Sequence, residues 1–358
     1  MEGNLPSLSE SCTQRRNRYT LRMNEIKILI TKEFPEPMLN KLRAVSPRIV
    51  IEQRLLKGGK WPSDLHTDAE IIYATNELPS PSQAPNLRWV QAHFAGNDHL
   101  VKTAVWQTDI LITNSSGVHA PNMGMYTLTH ILLWAYRVKQ WFRYQQKSEW
   151  PRNKWDEFLL TELRGQTLGI VGYGQIGREV ARLAKPFGLR IVATKRDPRH
   201  PQASGYGVPG HGDPDGRLPD MLYPATATRS MLAECDYVVN ILPLTDDTRH
   251  FFDKEMFKGM KKTAVFINIG RGGSVDEPAL IHALKKGWIA GASLDVFEQE
   301  PLPADSPLWK MENVILTPHI AGNTPNYSER VTDLFAENLR RYLNNEPLLN
   351  LINREKQY

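Results

Sequence analysis

The sequence predicts an α/β chain of two doubly wound parallel-sheet domains with a cleft between them. Three observations carry that reading. At 358 residues the chain is longer than one core usually serves and suits two. Two successive series of short apolar runs alternate with helical stretches, the pattern of parallel strands covered by helices. A last long helix, roughly Tyr327–Leu343, has the reach to return and pack on the first series, which makes the first domain discontinuous.

Taken in order, residues 1–22 differ from the rest of the chain. They are Ser-rich, carry Arg15, Arg16, Arg18 and Arg22, and lack the apolar segment of a secretory signal. Glu2 and Glu10 argue against a transit peptide, and Met23 stands just ahead of the first strand, so 1–22 read as a mobile tail. Strands are expected at Ile26–Ile30, Ile49–Ile51, Ile71–Ala74, Leu87–Gln91 and Ile110–Thr113, then a long helix at Pro121–Lys139. The second series comprises Thr167–Val171, Ile191–Thr194, Tyr237–Leu242, Ala264–Asn268, Ala292–Leu294 and Val314–Leu316. One domain is then 23–118 with 325–358, and the other is 119–324. The two crossings, near Ser116–Pro121 and Ile320–Thr324, form a hinge beside the cleft where a ligand would sit. Asp197–Thr226 holds five glycines and six prolines, too many for a helix or strand, and reads as a long ordered loop or a mobile flap.

Composition narrows the function classes. The net charge of +5 is not gathered into one block, which favours a solvated surface with an anion site over a nucleic-acid partner. No apolar run approaches the roughly 20 residues of a membrane span. Cys12 and Cys235 lie far apart and no Cys/His cluster has metal-ligand spacing. A metal site is therefore not expected, and a reducing, cytoplasmic setting is.

The second series opens on Gly172-Tyr-Gly174-Gln175-Ile176-Gly177, straight after an apolar strand and at the head of a helix. Gly172 suits a tight turn, Gly174 a close approach of backbone to pyrophosphate, and Gly177 close packing of helix on strand. The helix start offers its free N–H groups to the phosphates. In this strand–turn–helix context the motif marks a Rossmann cofactor domain. Thr194, Lys195 and Arg196 stand at the end of the next strand, where an NAD site carries a carboxylate for the ribose hydroxyls. Lys and Arg attract a 2′-phosphate, so NADP(H) is expected to be preferred over NAD(H). The alternative is that Asp197 serves the ribose and the two cations are surface charges.

Three later segments place polar groups at strand ends, where ligands bind in open α/β sheets. Arg271 follows Phe266–Gly270, Glu300 and Asp295 lie in Gly291–Pro303, and His319 sits between Pro318 and Gly322. Reduction of a 2-oxo acid unites them. Arg271 would bind the substrate carboxylate and polarise its carbonyl. His319 would give the carbonyl oxygen its proton. Glu300 would be the carboxylate that fixes the imidazole and favours its charged form.

On these residues the chain resembles the D-isomer-specific 2-hydroxyacid dehydrogenase family, over roughly Ile26 to Tyr342. The pieces that carry the resemblance are Gly169–Gly177, Leu242–Thr248, Asn268–Gly273 with Val275-Asp276, Gly291–Pro303, Ser306–Trp309 and Thr317–Gly322. The resemblance implies a flavodoxin-like substrate domain before the cofactor domain, and catalytic Arg271, Glu300 and His319. It puts Asp295 at the nicotinamide and Leu242 and Pro243 along the cofactor, with Thr248, Ile269, Gly270 and Gly322 on the same side. It places the substrate carboxylate on the loop Ala92–His99, with Ala95, Gly96 and Asn97 as the binding residues. Activity of the glyoxylate/hydroxypyruvate reductase type and a homodimer are implied, with Trp141, Trp150 and Trp155 available for such a surface.

This sequence also departs from the family. Gly124-Met125 replaces the usual Ala-Glu at the start of the crossing helix, which implies altered hinge packing rather than lost chemistry. Asn97 replaces a small apolar residue and is expected to add a hydrogen bond to substrate. Glu300 disfavours the related formate dehydrogenases, which carry Gln there, and the end at Tyr358 leaves no room for the regulatory domain of phosphoglycerate dehydrogenases. A nucleotide-sensing, corepressor-like binding protein of the same fold is the competing class.

Overall fold

The structure, a computed structural model, describes residues 25–56, 60–75 and 77–357, so the predicted tail 1–22 lies outside the described residues. The first sheet contains β1 Ile26–Ile30, β2 Ile49–Gln53, β3 Ile71–Ala74, β4 Trp89–Ala92 and β5 Leu111–Thr113. All pairs are parallel, in the flavodoxin-like order β2-β1-β3-β4-β5. The inner strands β3 and β4 are buried at every residue, as expected where helices cover both faces.

The second sheet contains β6 Thr167–Val171, β7 Arg190–Lys195, β8 Met221–Pro224, β9 Tyr237–Asn240, β10 Val265–Asn268, β11 Gly291–Leu294 and β12 Val314–Leu316. It is also parallel throughout, in the order β8-β7-β6-β9-β10-β11-β12. Strand order reverses between β6 and β9, the switch point where such sheets bind ligands.

The helices are α1 Glu36–Arg43, α2 Ala120–Ala135, α3 Val138–Lys147, α4 Lys154–Glu157, α5 Gln175–Ala184, α6 Thr228–Leu232, α7 Lys254–Lys258, α8 Glu277–Lys286 and α9 Tyr327–Leu343. Helix α9 returns to the first sheet: Val331, Leu334, Phe335 and Leu339 share a core with Ile28, Ile30, Tyr73 and Trp89. None of the helices is long and apolar enough to cross a membrane among the described residues.

Two expectations needed correction. The helix foreseen over Pro121–Lys139 breaks at Arg137, whose φ of 51° is left-handed, and α3 starts anew beyond it. The segment 197–226 is not loop throughout, because β8 pairs with β7 from Val192↔Met221 to Lys195↔Pro224. At this sheet edge Pro224 withholds no needed ladder donor, which is why a short Pro-ended run serves as a strand. The Gly124 departure also has a physical reason. A Cβ there would lie 2.6 Å from Glu179 Cγ, so glycine lets α2 lie close on α5.

Candidate active site

Each glycine of the turn after β6 meets a distinct demand. Gly172 has φ 106°, a left-handed conformation that favours glycine, and its N–H donates to Thr194 Oγ1 at 3.2 Å. A Cβ on Gly174 would meet nothing within 4 Å, so the backbone there stands open. A Cβ on Gly177 would lie 2.7 Å from Gly172 O and 3.0 Å from Ile170 Cγ2, so helix and strand pack as closely as backbone allows. Helix α5 has no side chain capping its start, which leaves the N–H groups of Gln175, Ile176 and Gly177 for an anion. An open backbone at an uncapped helix start fits a dinucleotide pyrophosphate.

The neighbouring strand ends complete one wall. Gly270 lies so near the β9 exit that a Cβ would come within 2.6 Å of Leu242 O. Leu242 N donates to Asn240 Oδ1 at 3.2 Å, Thr248 Oγ1 donates to Pro243 O at 2.6 Å, and Ile269 is buried beside them. At the end of β7, Thr194 is buried under the glycine turn. Lys195 Nζ donates to Gln202 O at 3.0 Å and to His200 O, so it braces the following loop. Asp197 is engaged by Arg199 Nε at 3.1 Å and His200 Nδ1 at 2.8 Å, and these hydrogen bonds hold its carboxyl well below the usual range.

The expected trio occupies the ends of β10, β11 and β12. Glu300 Oε2 faces His319 Nδ1 at 2.7 Å, while Glu300 Oε1 accepts from Phe297 N at 3.0 Å. His319 has φ 54°, a left-handed backbone that costs a non-glycine residue energy and so needs support. Asp295 supplies it. This fully buried carboxylate accepts from Thr317 Oγ1 at 2.7 Å, Ile320 N at 2.8 Å and Ala321 N at 2.9 Å, and its carbonyl accepts from His319 N at 2.8 Å. Gly272, next to Arg271, packs against the Phe297 carbonyl so tightly that a Cβ would lie 1.8 Å away. The segments bearing Arg271 and Glu300 are thereby in contact.

The loop after β4 brings the other sheet to the same place. Arg271 Nε donates to Asp98 Oδ1 at 3.3 Å, and Arg271 Nη2 lies against Gly96. Asn97 does not present its amide oxygen to the cleft. It is buried, and its Oδ1 accepts from Asn114 Nδ2 at 3.2 Å, with Ala95 O taking the same donor at 2.9 Å. Asn97 Oδ1 thus serves as a brace within the loop. At the crossings, His119 Nδ1 meets Gly322 O at 3.1 Å and its ring stacks on Tyr327 with centroids 4.6 Å apart. Burial, with smaller effects of Arg271, Arg330 and His319, pushes His119 down to about 4.

Comparison with known proteins decides the family. The model described as "D-isomer specific 2-hydroxyacid dehydrogenase, NAD binding domain" matches residues 128–321. A glyoxylate reductase of Thermofilum pendens is 33% identical over 341 residues, covering 92% of this chain and 95% of its own. The chain belongs to the D-isomer specific 2-hydroxyacid dehydrogenase family. Solved structures agree. One is an NADPH-dependent glyoxylate/hydroxypyruvate reductase of Sinorhizobium meliloti in complex with NADP and sulfate: TM-score 0.75, 25% identity, 93% of this chain and 100% of that one. Another is a D-isomer specific 2-hydroxyacid dehydrogenase of Xanthobacter autotrophicus Py2 in complex with NADPH and MES: TM-score 0.76, 27% identity, again 93% and 100%.

The protein is therefore an NAD(P)-dependent oxidoreductase of the 2-oxo acid/2-hydroxy acid class. In this dehydrogenase, sequence reasoning passed over Asp98, His119 and Arg178. Asp98 lies inside the loop Ala92–His99 and His119 inside the crossing Ser116–Pro121, and neither was singled out. Arg178, on the helix that opens at the glycine motif, is 2% exposed. Only Asp98, a charged residue two positions after Gly96, offered a signal.

Proposed function

We propose that this dehydrogenase reduces small 2-oxo acids, glyoxylate and hydroxypyruvate foremost, with NADPH preferred to NADH. The observation that carries the reading is the 2.7 Å His319–Glu300 pair set beside Arg271 at adjacent strand ends. The glyoxylate reductase relatives and the NADP- and NADPH-bound neighbours support the substrate class and the phosphorylated cofactor. Asp197, already engaged by Arg199 and His200, offers no free carboxylate to a ribose, which favours Arg196 and its neighbours as a 2′-phosphate site.

Backbone N–H groups of Gly96 and Asn97, beside Ala95, hold the substrate carboxylate together with Arg271, which also polarises the carbonyl. Bound along Gly172–Gly177, Thr194, Leu242, Pro243, Thr248, Ile269, Gly270 and Gly322, the cofactor supplies the hydride. With its Nδ1 committed to Glu300, His319 delivers the proton from Nε2 to the carbonyl oxygen. Asp295 fixes the His319 backbone at the nicotinamide end. The reading includes a substrate domain of 23–118 with 325–358 around a cofactor domain of 119–324. It also includes a homodimer through the exposed Trp141, Phe142, Trp150 and Trp155, and a cytoplasmic setting that suits the free thiol of Cys235.

The test is kcat/KM for glyoxylate and hydroxypyruvate with each cofactor. NADPH is expected to exceed NADH by about tenfold or more, the scale of one well-placed charge contact. Comparable values contradict the cofactor preference, and no turnover with any 2-oxo acid contradicts the substrate class.

A further inference from the structure

Arg271 reaches the cleft from one sheet and finds its carboxylate partner on the other. Its Nε donates to Asp98 Oδ1 at 3.3 Å, and its Nη1 donates to Gly270 O at 3.0 Å. A guanidinium carries five N–H bonds in one plane. These two contacts fix that plane and leave both Nη2 hydrogens and one on Nη1 for a ligand. Nη2 lies against Gly96, where a Cβ would come within 1.8 Å. The open edge of the fork therefore faces the backbone of the substrate loop. The side chains of Arg271 and Asp98 are 31% and 41% exposed, and a pair so exposed contributes little to stability. Its consequence lies in orientation and charge.

We infer that Asp98 is a positioning and selectivity residue: it holds the Arg271 fork to receive one carboxylate, and its own charge disfavours a substrate bearing a second. This rests on the proposed 2-oxo acid activity. The surroundings support it. Glu300 is hydrogen-bonded to His319 and Glu298 to His250, each at 2.7 Å, so neither carboxylate pairs with Arg271. Asp98 does. His99 and His119, both within electrostatic reach of Arg271, are pushed down by burial, which disfavours their charged forms. A monoanion thus meets a fork whose charge is already partly matched, and a dianion meets in addition the repulsion of Asp98.

Oxamate and oxalate are near-isosteric 2-oxo acid mimics with one and two negative charges, and calorimetry on the NADPH-loaded protein compares them without turnover. Wild type is expected to prefer oxamate. Asp98→Asn should shift the affinity ratio toward oxalate by about tenfold, the size of one charge at close range in a partly solvated site, and Asp98→Glu should keep the wild-type order. In steady state, Asp98→Asn should raise the KM for glyoxylate more than it lowers kcat, and improve oxaloacetate relative to glyoxylate. A merely structural role would weaken both mimics alike, so an unchanged ratio in an active enzyme overturns the inference alone. If wild type binds neither mimic and turns over no 2-oxo acid, the functional reading fails and the inference with it.

Discussion

A methyl group at position 96 has one place to go, the volume held by Arg271 Nη2. That atom is the far end of a flexible side chain, so Gly96→Ala should displace the guanidinium rather than unfold the loop. The expected result is a loss of about tenfold or more in kcat/KM for 2-oxo acids, with unfolding free energy changed by less than about 1 kcal/mol. Steady-state kinetics and denaturant melts read the two effects, and unchanged kinetics would show that Arg271 does not need its present position. Arg271, Glu300 and His319 were legible because strand ends and local spacing mark them. Asp98 was not singled out, because its meaning depends on a partner 173 residues away. Asp295 was foreseen at the nicotinamide, but its hold on the His319 backbone follows from hydrogen bonds that no spacing reveals.

At the scale of elements, the loop over 197–220 is held by buried charge on the helix that opens the cofactor site. Arg178 donates to Asp213 O at 2.5 Å and Pro201 O at 2.6 Å, and its guanidinium lies 4.8 Å from the centroid of the Tyr173 ring. Glu179 accepts from Gly212 N at 2.6 Å. The loop then touches both sides of the cleft, since Gln175 Nε2 donates to Ser204 O and Tyr206 N donates to Asn350 Oδ1. Arg178→Met would leave two carbonyls without their donor. It should cost about 2–4 kcal/mol and open the loop to trypsin at Arg199 or Arg217. Wild-type stability and an uncut loop would contradict this role. Glycine and proline counts identified the loop, while β8 escaped because a three-residue apolar run before Pro224 carries too little pattern. The anchors escaped because the partners of Arg178 and Glu179 lie 23–35 residues further along, where no local spacing marks them.

The whole molecule brings two independently wound sheets to one cleft, and the crossings are clasped by side chains. Asn122 Nδ2 donates to Ala321 O at 2.7 Å and Asn323 O at 3.1 Å, beside the His119–Gly322 contact. Asn350 Nδ2 donates to Ser116 O at 2.8 Å and Asn114 O at 3.1 Å from the returning C-terminal segment. Both sheets and the return of α9 were legible as apolar runs at strand spacing and a long amphipathic helix. The clasp was not, because it joins short polar side chains to backbone across about 200 residues of sequence. Its effect is to carry His319 and the Arg271–Asp98 pair into one cleft. The most direct measurement is kcat with NADPH and saturating glyoxylate for wild type and His319→Ala. Wild type should turn over and His319→Ala should fall by about 10²-fold or more, the usual scale of general acid catalysis. An inactive wild type, or a His319→Ala enzyme with undiminished kcat, would contradict the account.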